Sequence, residues 1–213
     1  MSPRPPGIPF VVAAPSGTGK TTVCLALRDR DPRLMLSVSH TTRVPRSGER
    51  DGVDYHFVSV EEFQDLVSAS AFLEWAEYNG NHYGTSWQAI EGALAGGLDV
   101  LLEIEVQGAR QVRRRLPDAR LIFLLPPSKA ALVSRLGGRG TDTAEQIVVR
   151  LRTAQCELEA VEEFDYAVVN DDLERCLANL REIIAAERAG ATAELRRRFQ
   201  PRAAAAALRG QAI

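Results

Sequence analysis

Eight residues, Ala14-Pro-Ser-Gly-Thr-Gly-Lys-Thr21, constrain this chain more than any other stretch. They follow an apolar run, Ile8–Ala14, that reads as a buried strand, and they open a helical pattern over Thr21–Arg28. In that setting the spacing G-x-x-x-x-G-K-[ST] describes a loop whose backbone amides curl round phosphate groups. Gly17 and Gly19 permit the curl. The helix N-terminus adds partial positive charge. Lys20 is placed to reach the β- and γ-phosphates of a nucleoside triphosphate, and the Thr21 hydroxyl to ligate Mg²⁺. Ala14, Pro15, Ser16, Gly17, Thr18, Gly19, Lys20, Thr21 and Thr22 are therefore the expected triphosphate-binding residues. The pattern is met with one departure. Ala14 stands where the first glycine belongs, and Ala tolerates positive φ poorly. Either that position is unstrained or the loop entry shifts. Lys20 is one of only two lysines in a chain that otherwise writes its cations as Arg.

The rest of the chain alternates short apolar runs with helical periodicity. Strands are expected at Leu34–Ser39, Tyr55–Val58, Phe72–Tyr78, Asp99–Ile104, Ala119–Leu125 and Tyr166–Val169. Helices are expected at Val60–Ala69, Ser86–Ala95, Val106–Leu116, Ser128–Leu136, Ala144–Glu163 and Asp172–Arg188. Continuous apolar strands separated by helices indicate an α/β fold with a parallel sheet covered on both faces. Residues 41–87 break the rhythm and read as a small inserted mixed β lobe. Within it, Arg43–Asp54 is too polar and too rich in Gly, Pro and Arg to be anything but a loop. Residues 189–213 are Ala/Arg-rich and low in complexity, expected as a frayed helix or as disorder.

Charge narrows the partners. The net charge is −2. From Arg188 onward there are six Arg and one Glu, so residues 1–187 carry −7. An acidic body argues against general nucleic-acid binding, which wants a broad basic face. No apolar run is long enough for a membrane span or a signal peptide. Three cysteines, Cys24, Cys156 and Cys176, lack disulfide or metal-ligand spacing and fit a reducing compartment. The chain reads as cytoplasmic, without a nucleic-acid or membrane partner.

The lobe carries a second set of motifs. Ser39-His-Thr-Thr-Arg43-Val-Pro-Arg46-Ser-Gly-Glu49 runs into Asp54-Tyr55-His-Phe, and is followed by Phe72-Leu-Glu74-Trp-Ala and Gly80-Asn-His-Tyr83-Gly84-Thr85-Ser86. Further on stand Glu103-Ile-Glu105-Val-Gln-Gly108, Arg135-Leu-Gly-Gly-Arg139-Gly-Thr-Asp, Arg150-Leu and Val169-Asn170-Asp-Asp. In this order, over roughly Pro9 to Arg188, they closely resemble the guanylate kinase family. The resemblance implies a P-loop kinase fold, with a domain at 8–188, a nucleoside-monophosphate lobe at 41–87 and a mobile lid at 135–150. It implies transfer of the ATP γ-phosphoryl group to GMP, with Mg²⁺ as cofactor.

Residue by residue, the resemblance gives Arg43, Arg46, Tyr55 and Tyr83 to the GMP phosphate, which suits guanidinium forks and phenol donors. It gives Glu74 to guanine, whose N1–H and 2-amino group can both donate to one carboxylate; adenine offers no such pair. Ser39 and Thr85 are assigned to the remaining base edge. Glu103 and Glu105 share one side of a strand end by period-2 geometry, and are assigned to nucleotide and Mg²⁺-water contacts without dividing the roles. The family's second acid is usually Asp, and here it is the longer Glu105. Arg135, Arg139 and Arg150 are the implied lid arginines over the triphosphate, and Asn170 lies near the ATP base. The implied catalytic residues are Lys20, Arg43, Arg139 and Arg150. Homo-oligomerisation is left open. His40, His56 and His82 lack metal-ligand spacing and read as structural.

Three rivals are weaker. A non-catalytic binding module would be expected to lose the loop lysine or its glycines, and both are present. A P-loop GTPase needs an Asn-Lys-x-Asp motif, and neither lysine sits in one. Another monophosphate kinase would not need Glu74 in its present surroundings.

Overall fold

The computed structural model describes residues 5–137 and 153–209. The chain divides into two compact units, Met1–Val11 with Asp31–Ala119, and Val12–Arg30 with Arg120–Ile213. Within the first unit four strands form a small sheet in the order His56–Phe57, His40–Thr41, Asn81–Ser86 and Phe72–Tyr78.

In the first unit, β2 (Leu34–Leu36) lies parallel to β7 (Asp99–Glu103). Val100, Leu101 and Leu102 of β7 are fully buried, so the strand is apolar on both faces, as a parallel strand under helices should be. Asp99 is its buried exception, and its carboxylate accepts from the Ile8 amide at 2.7 Å. Ile8 leads directly into β1 (Pro9–Ala13). Helix α3 (Gln88–Ala95) packs on β7, and α4 (Val106–Arg115) leaves its C-terminal end.

The small sheet belongs to the same unit. β3 (His40–Thr41) pairs parallel with β4 (His56–Phe57) and antiparallel with β6 (Asn81–Ser86). β6 forms a hairpin with β5 (Phe72–Tyr78) through Asn79 and Gly80, at φ 52° and 73°. Two successive positive φ values match the twist of the strands, and Asn-Gly is the dipeptide that adopts them most readily. Helix α2 (Val60–Ser68) is opened by a capping box. The Ser59 hydroxyl accepts from the Glu62 amide, and the Glu62 carboxylate accepts from the Ser59 amide. α2 buries Phe63, which stacks on Phe72 of β5 at 4.6 Å between ring centres.

In the second unit, the end of β1 passes through residues 14–19 into α1 (Lys20–Arg30). β8 (Arg120–Leu125) pairs parallel with β9 (Tyr166–Val169). Helix α5 is Lys129–Gly137; residues 153–159 form α6 and run into a 3₁₀ turn at Ala160–Glu163. Residues 138–152 of the expected lid and long helix lie outside the described residues. Helix α7 (Leu173–Ala189) packs on α1. Asp172 caps its start, and Gly190, at φ 67°, ends it.

The tail differs from its expectation. It forms α8 (Ala193–Arg198) and α9 (Pro201–Arg209), with Leu195, Phe199 and Ala205 buried. β9 is the last strand of its sheet, and the Ala167 amide on it donates to the Phe199 carbonyl at 2.9 Å. Glu187, at the end of α7, is 8% exposed and gathers three donors. It accepts from Tyr166 Oη at 2.5 Å, Arg120 Nε at 2.6 Å and Arg196 of α8 at 3.0 Å. Ala/Arg-rich composition hides this, because the arginines that look solvated include one anchored on a buried carboxylate.

No disulfide joins Cys24, Cys156 and Cys176, and burial pushes the Cys176 thiol up to about 12. No helix of the described residues is long and apolar enough to cross a membrane.

Removing Glu187 takes a shared carboxylate partner from two guanidinium groups and a buried phenol. Glu187→Ala is expected to lower the unfolding free energy by about 2 kcal/mol, read as a shift in urea midpoint at neutral pH. A midpoint equal to that of the parent would show that the tail is not anchored there.

Candidate functional site

The loop at residues 14–19 has the geometry its chemistry needs. Gly17 and Gly19 sit at φ 84° and 88°, the left-handed region that glycine alone enters without strain. Ala14 is buried and is not among the residues with positive φ, so a side chain is tolerated at the loop entry. Thr18 is fully buried; its amide donates to the Pro15 carbonyl at 3.2 Å, and its own carbonyl accepts from Asn170 Nδ2 at 2.7 Å. Asn170 directly follows β9 and is itself buried, so a strand end braces the loop. Lys20 is half-buried, and Thr21 and Thr22 are exposed at the first turn of α1. Glu157 of α6 is a further contact that sequence reasoning misses, its carboxylate accepting from the Ser16 amide at 3.4 Å.

In the other unit the lobe gathers two groups of expected residues. The first is a chain of hydroxyls ending on a buried carboxylate. The Thr85 amide and hydroxyl both donate to Glu74 Oε1, at 2.9 and 2.7 Å. Ser39 Oγ lies 3.0 Å from Thr85 Oγ1. Thr85 has one hydroxyl proton and spends it on Glu74, so Ser39 is the donor to Thr85. A β-bulge between Phe72 and Glu74 turns the carboxylate into this position.

The second group is cationic and aromatic. The Arg43 guanidinium lies 5.5 Å from the centre of the Tyr55 ring, and the Tyr55 and Tyr83 rings are 6.1 Å apart. Glu49, which sequence reasoning does not single out as a site residue, organises it. Arg43 donates to both Glu49 oxygens at 3.0 and 2.8 Å, and the Arg46 amide donates to the same carboxylate at 2.7 Å. Arg43 also donates to the Val44 carbonyl at 2.8 Å. The side chains of Arg43 and Glu49 are 13% and 18% exposed, which limits screening of the pair. Arg43 thereby holds the Glu49 carboxyl below its ordinary range, while Glu49 raises Arg43.

Glu103 ends β7 and Glu105 is the N-cap of α4; both are half-buried. His40 and His56 lie 4.7 Å apart between ring centres, and burial followed by His56 lowers His40. Arg135 lies near the end of α5. Arg139 and Arg150 lie outside the described residues.

A glycine-rich loop that joins a buried strand to a helix, and a small sheet that holds both a buried carboxylate and an arginine–tyrosine cluster, are features of a nucleotide-dependent phosphotransferase of the α/β class. The guanylate kinase family model matches residues 7–187. A guanylate kinase from Synechococcus sp. (strain CC9311) is 55% identical over 172 residues, covering 81% of this chain and 90% of the relative. One from Neisseria meningitidis serogroup A is 53% identical over 184 residues, covering 86% of this chain and 90% of its own. The crystal structure of guanylate kinase from Anaplasma phagocytophilum superposes with a TM-score of 0.73 at 34% identity, over 86% of this chain and 87% of that one. The chain belongs to the guanylate kinase family.

Because Glu49 is held below the ordinary carboxylate range, its ion pair contributes fully above that range and is lost as the pH falls through the lowered value. Glu49→Gln is expected to cost about 1 kcal/mol of stability by urea denaturation, equally at pH 7 and pH 5. The deficit should shrink on stronger acidification. A deficit that vanishes already between pH 7 and pH 5 would contradict the assignment.

Proposed function

We propose that the chain transfers the γ-phosphoryl group of ATP to GMP, giving ADP and GDP, a step of purine nucleotide metabolism. One observation carries the choice of acceptor. The Ser39–Thr85–Glu74 chain holds a buried carboxylate in the same small sheet as the Arg43, Tyr55 and Tyr83 cluster, whose donors suit a phosphate. Guanine carries a paired N1–H and 2-amino group that such a carboxylate can accept from, and adenine does not.

The roles follow from the donors available. Residues 14–22 hold the triphosphate, Lys20 meets its terminal phosphates, and Asn170 keeps the loop in shape. Arg46, exposed on its loop, and Arg43, oriented by Glu49, take the GMP phosphate together with Tyr55 and Tyr83. Ser39, Glu74 and Thr85 read the base. Glu103 and Glu105 serve nucleotide and metal-water contacts at the end of β7.

Transfer is direct and in line, without a covalent enzyme intermediate, because a GMP phosphate oxygen is already an adequate nucleophile. Its transition state spreads charge over the equatorial oxygens. Catalysis then rests on positioning and on arginine charge from residues 43, 135, 139 and 150. We assign residues 8–188 to the kinase domain, 41–87 to the GMP lobe and 135–150 to a lid that excludes water.

The exposed Thr21 hydroxyl and the half-buried Glu105 carboxylate are hard oxygen donors of the kind Mg²⁺ takes alongside phosphates and water. Mg²⁺ bound with ATP would neutralise charge on the β- and γ-phosphates. The substrates are those of the cytoplasm, and we place the enzyme there, with a homo-oligomer compatible with the reading.

Incubation with ATP, Mg²⁺ and each nucleoside monophosphate in turn, with ADP as the readout, tests the reading. GMP is expected to be used in strong preference to AMP and UMP, and a preference for either of those would overturn it. Glu74→Gln should lower kcat/KM for GMP by about a hundredfold and leave the KM for ATP unchanged; an equal loss for both substrates would remove the base-reading role.

A further inference from the structure

Helix α4 runs beside β5, the outer strand of the small sheet. At one point of contact the helix carries no side chain. A Cβ added at Gly108 would stand 2.3 Å from Glu74 Oε2 and 3.0 Å from the Glu74 carboxyl carbon. The carboxylate therefore occupies the volume that any other residue at 108 would fill.

The strand behind Glu74 cannot retreat. Gln111 takes both backbone groups of Trp75, accepting from its amide at 3.3 Å and donating to its carbonyl at 2.6 Å. Arg115 donates to the carbonyls of Phe72 and Leu73, each at 2.9 Å. Positions 108, 111 and 115 recur at the i, i+3, i+7 spacing of one helix face. Across the carboxylate, Thr85 holds Oε1 with its amide and its hydroxyl. Glu74 is thus clamped between Thr85 on one side and the bare Cα of Gly108 on the other.

We infer that Gly108 is a specificity-determining residue. Its missing side chain sets where the Glu74 carboxylate stands, and so decides whether one carboxylate can accept from both guanine donors at once. The inference rests on the reading that Glu74 recognises guanine. A side chain at 108 displaces the carboxylate and leaves the helix in place, because the carboxylate ends a rotatable side chain while the backbone on both sides of the contact is bonded. Alanine fits a helical backbone at least as well as glycine, so the effect of Gly108→Ala runs through the Glu74 carboxylate.

The experiment compares the parent, Gly108→Ala and Glu74→Gln with GMP and with inosine 5′-monophosphate, which lacks only the 2-amino group. Gly108→Ala is expected to reduce the ratio of kcat/KM for GMP to that for inosine monophosphate about tenfold, with the KM for ATP unchanged. An unchanged ratio, an equal loss on both acceptors, or a protein that does not fold would each overturn the inference. Glu74→Gln separates the two levels. If it collapses the ratio while Gly108→Ala does not, only the role of Gly108 fails. If it too leaves the ratio unchanged, the reading of Glu74 fails, and the inference with it.

Discussion

The pair of hydrogen bonds from Thr85 to Glu74 Oε1 is the contact on which the small sheet depends. A carboxylate that is 4% exposed must be met by donors or it will not stay buried. Meeting it fixes the pairing of β5 with β6 at the level of Glu74 and Thr85, and places the bulge that turns the acid out of the regular pleat. The Ser39 hydroxyl is drawn into the same chain, which ties the start of β3 to β6. One polar requirement therefore orders the β5–β6 hairpin together with the start of β3.

Glu49 meets a comparable requirement for the opposite charge. Guanidinium groups held close together repel one another, and a carboxylate set among them offsets that repulsion. Glu49 does so while bonding both the side chain of Arg43 and the backbone of Arg46. In the other unit the glycine-rich loop at residues 14–19 is supported through its backbone, with Asn170 bonded to the Thr18 carbonyl. A backbone cradle needs its curvature held, and a side chain from a strand end supplies that at low entropy cost.

Much of the architecture is legible in the sequence, for identifiable reasons. Ile8–Ala14, Asp99–Ile104 and Tyr166–Val169 are read as strands because continuous apolar runs have little else to do. β6 is not read as a strand, since Asn-His-Tyr-Gly-Thr-Ser has no apolar alternation; its conformation is imposed by β5, and the Asn79-Gly80 turn is its one local signal. β3 is two residues long and carries no pattern at all. The loop lysine, Glu74 and the lobe arginines stand out because their motifs occur in order. Glu49, Gly108, Gln111 and Glu157 do not, because each acts through a partner that only the fold brings near. The tail misleads for a different reason: alanine packs without announcing a core, and Phe199 and Leu195 are too few to set a period.

The bond between Ala167 and Phe199 has a consequence outside folding energy. A terminal strand with open amides is a template on which another chain can add a strand. By lending a carbonyl to β9, the tail closes part of that template from within. Helices α8 and α9 then shield a strand edge while offering none of their own.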